Sequence, residues 1–266
     1  MRKKLQSITN KLIPVSAILA ILAIWQAISM LGWIPKFMLP SPVDVILAFV
    51  GDFGLLMGHA KVTLVESLIG LAIGTGLGFA AAVFMNHFHG FYRAFYPIVV
   101  ITQTIPTVAI APLLILWLGY AMAPKIVLVV ITSFFPITVG LLDGFRSVDQ
   151  DAVNLFRCMG ATPAQIFRYM KLPGTLDRFF SGLRISAAYS IIGAVVAEWL
   201  GGYSGLGVYM VRVKKSFSYD KMFAVIFLIS IISLLLMWGL GKLQKAVMPW
   251  EQYQEKEKGT EKERKV

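Results

Sequence analysis

Apolar runs long enough to cross a lipid bilayer follow one another through most of this 266-residue chain. A hydrocarbon core about 30 Å thick requires roughly 20 apolar residues in an α-helix. Runs of this kind lie at about 12–31, 62–85, 92–118, 124–142, 180–200 and 222–243. The composition agrees, because 57% of the residues are hydrophobic and only 15% are charged. We expect an all-α, polytopic membrane bundle of about six transmembrane helices.

Charge patterning predicts the arrangement around this bundle. An even number of spans places both termini on one side, and the excess of Lys and Arg in the loops on that side predicts that it is the cytoplasm. Lys and Arg in the final outer loop, at 212–221, weakly favour the opposite orientation, with both termini outside. We expect a cytoplasmic N-terminus at 1–11, one membrane domain at 12–249 and a charged cytoplasmic tail at 250–266, which is too polar to pack. The first run also resembles a secretory signal, but it is long for one.

Several kinds of site are disfavoured. The net charge of +11 comes from Lys and Arg that flank apolar runs, which disfavours nucleic-acid binding. Cys158 is the single cysteine, and His59, His87 and His89 lie near span ends, where we expect solvated side chains. The glycine-rich stretches 74–78 and 201–207 do not follow a predicted β-strand, and no P-loop motif occurs. We expect no catalytic residue, no metal site and no bound cofactor.

Prolines interrupt the third run at Pro97, Pro106 and Pro112. Each removes a backbone donor and disfavours helix immediately before it. The span is therefore either broken or only kinked. If it is broken, Gln103 and Pro106 are candidate residues of the substrate path, since irregular backbone at membrane depth occurs where it lines a cavity.

Two spans carry small residues four apart, the pattern that lets helices approach closely in lipid. The members are Gly70, Gly74 and Gly78 in the second span, and Gly182, Ser186, Ser190 and Ala194 in the fifth. Each stripe includes a carboxylate at its outer end, Glu66 or Glu198, which we expect to face protein. Because acids within a membrane are costly, both are candidates for the path or an outer gate, and Ser190 is a further path candidate. The alternative for each acid is a structural hydrogen bond.

The loop at 143–179 contains two helix signatures. The sequence predicts a capping box at 147–150, a left-handed helix end at Gly160, and a second helix opened by Thr162 and Pro163. We expect Leu172 and Pro173 to stop that second helix. The apolar anchors of this helix–bend–helix segment, at about 147–173, are predicted to be Phe156, Met159, Ile166, Phe167 and Met170. A short helix is also predicted to begin at Ser41 and Pro42.

Here the chain resembles the permease subunits of ATP-binding-cassette (ABC) importers. Their signature is E-A-A, three residues, G, nine residues, then I-x-L-P. Gly160, Leu172 and Pro173 match it, whereas Met170 replaces the isoleucine and 154–156 replace Glu-Ala-Ala. The resemblance extends through 39–42, 161–168, 197–202 and 205–210. It is similar to the group that transports nitrate, taurine and aliphatic sulfonates, and most similar to permeases for thiamine-precursor pyrimidines.

This resemblance implies a type I ABC importer permease in a bacterial cell membrane. It implies two ATPase subunits that carry ATP and Mg²⁺, an extracytoplasmic substrate-binding protein and a second permease copy, expected to form a homodimer. It assigns ATPase coupling to Asn154, Phe156, Gly160, Ala161, Thr162, Pro163, Phe167, Leu172 and Pro173. The competing hypotheses are a surface amphipathic helix without special function, an ion-coupled secondary transporter and a membrane-embedded enzyme. The last two are disfavoured because Glu66 and Glu198 lack a His, Asp or Cys partner in their stripes.

Overall fold

The computed structural model describes residues 2–32, 34, 35 and 37–250, and these residues form helices and no strand. The helices are α1 (Arg2–Met30), α2 (Pro42–Gly51), α3 (Phe53–His87), α4 (His89–Thr104), α5 (Thr107–Leu118), α6 (Ala123–Arg146), α7 (Gln150–Cys158), α8 (Pro163–Ile166), α9 (Leu172–Leu200), α10 (Leu206–Lys215) and α11 (Tyr219–Val247). A π-helical turn, Phe167–Lys171, joins α8 to α9. The charged tail predicted for 250–266 lies outside the described residues from 251 onward.

Four helices are long and apolar enough to cross a membrane. They are α3, α6, α11 and the continuous helix Pro163–Leu200, and the pair α4 and α5 provides a fifth candidate span. The span predicted at 12–31 falls on α1, of which the shorter stretch Ser16–Met30 is an apolar helix. The expectation of an all-α polytopic membrane bundle is therefore confirmed.

The third predicted span is broken. Its halves, α4 and α5, meet at 98°, and the backbone at Ile105 and Pro106 is extended. Pro106 cannot donate a hydrogen bond to α4, whereas Pro97 and Pro112 are accommodated inside helices. The third span is therefore broken and not merely kinked. Lining of a substrate path by this break stays a prediction.

Helix α6 lies between α3 and α9, and this trio forms the centre of the bundle. A methyl group added at Gly70 would lie 2.5 Å from Val129 Cβ, and one at Gly182 would lie 2.6 Å from the Pro136 carbonyl oxygen. The Ser186 hydroxyl donates to the Ser133 carbonyl at 2.9 Å. The remaining stripe residues Gly74, Gly78, Ser190 and Ala194 are also buried. Small side chains on α3 and α9 thus bring both backbones close to α6.

Peripheral helices attach around this trio. Helix α11 packs on α9, α10 and α2, and Trp25 of α1 contacts the rings of Phe223 and Phe227. The predicted start of α2 is confirmed, because Ser41 and Asp44 form a reciprocal capping box with Pro42 in the first turn. The bundle has one end that carries α10 and an opposite end that carries α7, α8 and the π-helical turn.

Candidate functional site

The helix–bend–helix segment begins two residues later than predicted, with its cap at Asp149 and not at Ser147. Asp149 caps α7 by accepting from the Asp151 amide at 2.9 Å, whereas Ser147 closes α6 and its hydroxyl donates to the Gly144 carbonyl. The capping box predicted at 147–150 is therefore wrong. The reason is that α6 continues to Arg146, so Ser147 lies at a helix end and not at a helix start.

The predicted left-handed residue is confirmed at Gly160, whose φ is +82°. Its amide donates to the Arg157 carbonyl at 2.9 Å, and the Ala161 amide donates to the Phe156 carbonyl at 3.0 Å. This pair of bonds is the Schellman arrangement, which satisfies the last carbonyls of a helix. A Cβ at this position would meet no heavy atom within 4 Å, so a lack of space does not explain the glycine. Glycine is favoured here because it adopts a positive φ without steric cost.

The second helix starts as predicted. Thr162 and Gln165 form a reciprocal capping box, with the Thr162 amide donating to Gln165 Oε1 at 2.8 Å and Pro163 in the first turn. The predicted stop at Leu172 and Pro173 is wrong, however. The Leu172 amide donates to the Phe167 carbonyl five residues earlier, so the turn is widened. A widened π-helical turn accommodates a proline without ending the helix, and the helix therefore continues from Pro163 to Leu200.

Most of the predicted anchors of this segment are confirmed, Met159 is wrong, and Val153 is an anchor that the sequence did not predict. Val153 and Ile166 are buried, while Phe156, Phe167 and Met170 are half-buried. Met159 is 76% exposed and does not act as an anchor, and Leu155 and Tyr169 are exposed as well. The coupling candidates Asn154, Gly160, Thr162 and Pro163 are also exposed. The outer side of α7 and the bend is therefore free of contacts with the described bundle.

At the opposite end, the structure buries Glu66 and Glu198 in a polar cluster. Lys125 Nζ donates to Glu66 Oε1 at 2.8 Å, and both side chains are almost fully buried. The Thr63 hydroxyl donates to Glu198 Oε1 at 2.8 Å. We call His59, Thr63, Glu66, Lys125 and Glu198 the buried polar cluster.

This cluster holds the loop between α9 and α10, residues 201–207, which we call the glycine loop. Lys125 Nζ donates to the Ser204 carbonyl, and His59 Nδ1 accepts from the Gly205 amide at 3.0 Å. The Leu206 amide donates to Thr63 Oγ1 at 2.8 Å, and the Gly207 amide donates to Glu198 Oε2 at 2.6 Å. The glycine-rich stretch therefore brings backbone donors close to buried side chains of α3 and α9.

The cluster is electrostatically incomplete. The carboxyl groups of Glu66 and Glu198 interact with each other, and Lys125 supplies a cation that is bonded to Glu66. Glu66 Oε2 is buried and has no hydrogen-bond partner among the residues that the structure describes. Since a buried charge is costly without a partner, the Glu66–Lys125 pair is a sensitive point of the fold.

Comparison with known proteins decides the family. A sequence profile described as "Binding-protein-dependent transport system inner membrane component" matches residues 74–248, which is most of the chain. The chain belongs to this family. The expected membership of the ABC importer permeases is thereby confirmed, and the protein is a multi-pass membrane permease.

Curated relatives and solved structures agree. The permease is 36% identical over 243 residues to the formylaminopyrimidine transport permease protein ThiX of Halalkalibacterium halodurans, covering 91% of this chain and 96% of the relative. It is 38% identical over 230 residues to a probable ABC transporter permease protein of Haemophilus influenzae, covering 86% and 94%. Its fold resembles a chain of the inward-facing MetNI methionine ABC transporter, with a TM-score of 0.65, 21% identity and 74% and 98% coverage.

The structure separates the predicted path residues of the permease into two groups. Glu66 and Glu198 lie in the buried polar cluster, whereas Gln103 and Pro106 are exposed at the break between α4 and α5. Ser190 is buried within α9 and donates to the Ala187 carbonyl. No described contact joins the two groups, so their roles in a path or gate stay predictions.

Sequence reasoning missed three members of the cluster. His59 was expected to be solvated, but it is buried, because α3 begins at Phe53 and not near residue 62. Lys125 lies at the start of the predicted run 124–142 and received no role, but it is 3% exposed within the first turn of α6. Thr63 received no role. A cation at the start of an apolar run is the signal that could have identified Lys125, although its partner is 59 residues away.

A second, more exposed contact joins the residue between α2 and α3 to α10 and α11 and predicts a pH dependence. Lys221 lies 2.8 Å from Asp52 Oδ2, and the Tyr209 hydroxyl donates to the same oxygen at 2.6 Å. The hydrogen bond from Lys221, followed by that from Tyr209, holds the pKa of Asp52 below its usual range. The stabilisation is therefore present above the unfolded pKa of about 3.9 and is lost as the pH falls through the lower folded value.

We expect acidification below about pH 4 to remove less than about 1 kcal/mol through this contact, because both side chains are partly exposed. The measurement is the unfolding midpoint of the detergent-solubilised permease between pH 3 and 7. Asp52→Asn should be less stable than the parent at pH 7 and should approach it at pH 3. A constant difference between the two proteins over this range would contradict the assignment.

Proposed function

We propose that the helix–bend–helix segment of this ABC importer permease docks on a separate cytoplasmic ATPase and couples ATP hydrolysis to opening of the bundle. The observation that carries the proposal is the continuous helix Pro163–Leu200, which starts at the bend and ends at the glycine loop. At 1.5 Å per residue, its 38 residues extend about 57 Å. A displacement of the bend would therefore be transmitted along one element to Glu198 and the glycine loop at the opposite end.

The exposed surface of the segment supports docking. Leu155 and Met159 are large apolar side chains, 60% and 76% exposed, beside the Schellman bend. Exposed apolar residues held on a defined backbone are suited to fill a groove of a partner. The coupling residues are Asn154, Phe156, Gly160, Ala161, Thr162, Pro163, Phe167, Leu172 and Pro173.

The proposed substrate is a pyrimidine precursor of thiamine. The support is the relative named as a formylaminopyrimidine transport permease, which is 36% identical along nearly the whole chain. Aliphatic sulfonates and taurine are the alternative substrates, since relatives of 30% and 28% identity carry those names. Uptake of each labelled compound by the assembled importer distinguishes them.

The complete importer would contain two copies of this permease in the lipid bilayer, two ATPase subunits that bind ATP and Mg²⁺, and a substrate-binding protein outside the cell. Both termini and the bend would lie in the cytoplasm, and α10 would face outward. The permease itself would carry no ATP and no catalytic group. An ion-coupled transporter is disfavoured because Glu66, one of its two candidate carboxylates, is already paired with Lys125.

The test replaces Gly160, where φ is positive and space is open. Gly160→Leu should insert into the membrane normally but lose roughly ten-fold in substrate imported per ATP hydrolysed, because the left-handed backbone costs other residues about 1–2 kcal/mol. Gly160→Asn is the control, since asparagine tolerates this conformation and should retain most coupling. For each variant, substrate uptake and ATP hydrolysis are measured in proteoliposomes that contain the ATPase and the binding protein. Undiminished uptake per ATP in Gly160→Leu would refute the docking role.

A further inference from the structure

A cavity of about 930 Å³ lies at the α7 end of the bundle, between the last turns of α3 and the helix–bend–helix segment. Its polar lining includes Asn86 and His87 from α3, Arg157 from the last turn of α7, Thr162 at the bend and Lys171 from the π-helical turn. No Asp or Glu is among its lining residues. The cavity therefore concentrates basic groups without internal neutralisation.

The two permanent cations of this cavity are available to a ligand. Neither Arg157 nor Lys171 forms an ion pair with any residue that the structure describes. Lys171 Nζ makes one long hydrogen bond, 3.4 Å to Asn86 Oδ1, which leaves other N–H donors of its ammonium group for a ligand. A guanidinium and an ammonium group that face one cavity are suited to a phosphate group.

An apolar surface continues from this cavity along the outside of the bundle. The His87 ring contacts the Phe88 ring at 4.5 Å between centroids, and the Phe84 ring contacts both Phe88 and Phe91. All three phenylalanines are exposed, and Phe84 and Phe88 are more than half exposed. A phosphate site bordered by exposed aromatic rings matches a ligand that has an anionic headgroup and hydrocarbon chains.

We propose that this cavity binds the headgroup phosphate of an anionic phospholipid, with the acyl chains lying against Phe84, Phe88 and Phe91. The bound lipid joins the end of α3 to the helix–bend–helix segment through Arg157 and Lys171. Its location in the cytoplasmic leaflet rests on the proposed function, which places the bend in the cytoplasm. Basic pockets between membrane helices are suited to such headgroups, and the aromatic surface favours a lipid over free phosphate.

The experiment measures phosphatidylglycerol binding to the assembled importer in detergent by titration and native mass spectrometry. Arg157→Gln combined with Lys171→Gln should weaken binding on the order of 25-fold, since each cation near a phosphate contributes roughly five-fold. The single variant Arg157→Lys keeps two cations in the cavity and should bind phosphatidylglycerol with most of the parent affinity. The matched control, Arg168→Gln with Lys245→Gln, removes two exposed cations that do not line the cavity and should bind as the parent does.

Two results would overturn the proposal. One is equal phosphatidylglycerol affinity in the parent and the Arg157 and Lys171 double variant. The other is equal affinity of the site for phosphatidylglycerol and for inorganic phosphate, because the acyl chains would then contribute nothing and the site would be one for soluble phosphate. Because binding is measured without transport, a failure of the docking role of Gly160 would leave this result unchanged, and the two failures are distinguishable.

Discussion

Lys125→Met should destabilise the permease by about 3–5 kcal/mol, because it leaves the Glu66 carboxylate buried without its cation. The substitution also removes the hydrogen bond from Lys125 to the Ser204 carbonyl of the glycine loop. Glu198, which also interacts with Glu66, is another carboxyl group and supplies no cation in place of Lys125. The measurement is the free energy of unfolding in mixed micelles.

A double-mutant cycle tests the cause of this loss. Lys125→Met combined with Glu66→Gln removes both charges and should recover at least half of the lost stability, because the unpaired carboxylate is then absent. Lys61→Met, which removes an exposed lysine from α3, is the matched control and should change stability by less than about 0.5 kcal/mol. If the double variant is no more stable than Lys125→Met, the ion pair is not the reason for the effect.

Gly70→Leu should be the most damaging substitution in the glycine-rich part of α3. The added Cβ would lie 2.5 Å from Val129 Cβ and 3.1 Å from the Ile126 carbonyl oxygen, so α3 and α6 must separate. Overpacking of a close helix contact costs about 3 kcal/mol, and here the backbone itself must move. We expect a large loss of folded protein in membranes, measured as the monodisperse fraction after solubilisation.

Gly76 provides a matched control on the same helix. A Cβ at Gly76 would meet no heavy atom of the described chain within 4 Å. Gly76→Leu removes the same residue type and adds the same side chain, and it should leave the folded yield near the parent value. Equal losses in both variants would show that helix flexibility, and not close packing at Gly70, explains the effect.

The fold links the two regions of the permease through α9. The π-helical turn carries the helix past Pro173, so the bend at Gly160 and the buried polar cluster lie at opposite ends of one continuous helix. Four hydrogen bonds link the cluster to the glycine loop, at Ser204, Gly205, Leu206 and Gly207. A movement of α9 relative to α3 and α6 would therefore act directly on Thr63, Glu66, Lys125 and Glu198.

Local features of this protein followed from the sequence alone. The apolar runs predicted a membrane bundle, because hydrocarbon thickness sets the length of a helix that must satisfy its own backbone. The caps at Ser41 and Thr162 and the left-handed Gly160 were predicted for a similar reason, since each depends on residues at most five positions apart. The signature around Gly160 also predicted the family that the comparisons confirmed.

Only the tertiary structure decided which polar groups meet. Lys125 and Glu66 are 59 residues apart, and Thr63 and Glu198 are 135 apart, so no local spacing reveals either contact. Pro173 illustrates the same limit, because a proline ends a regular helix but is tolerated where a turn widens to five-residue hydrogen bonding. Short-range backbone chemistry can be read along the chain, whereas the burial of a charge depends on which distant helix supplies its counter-ion.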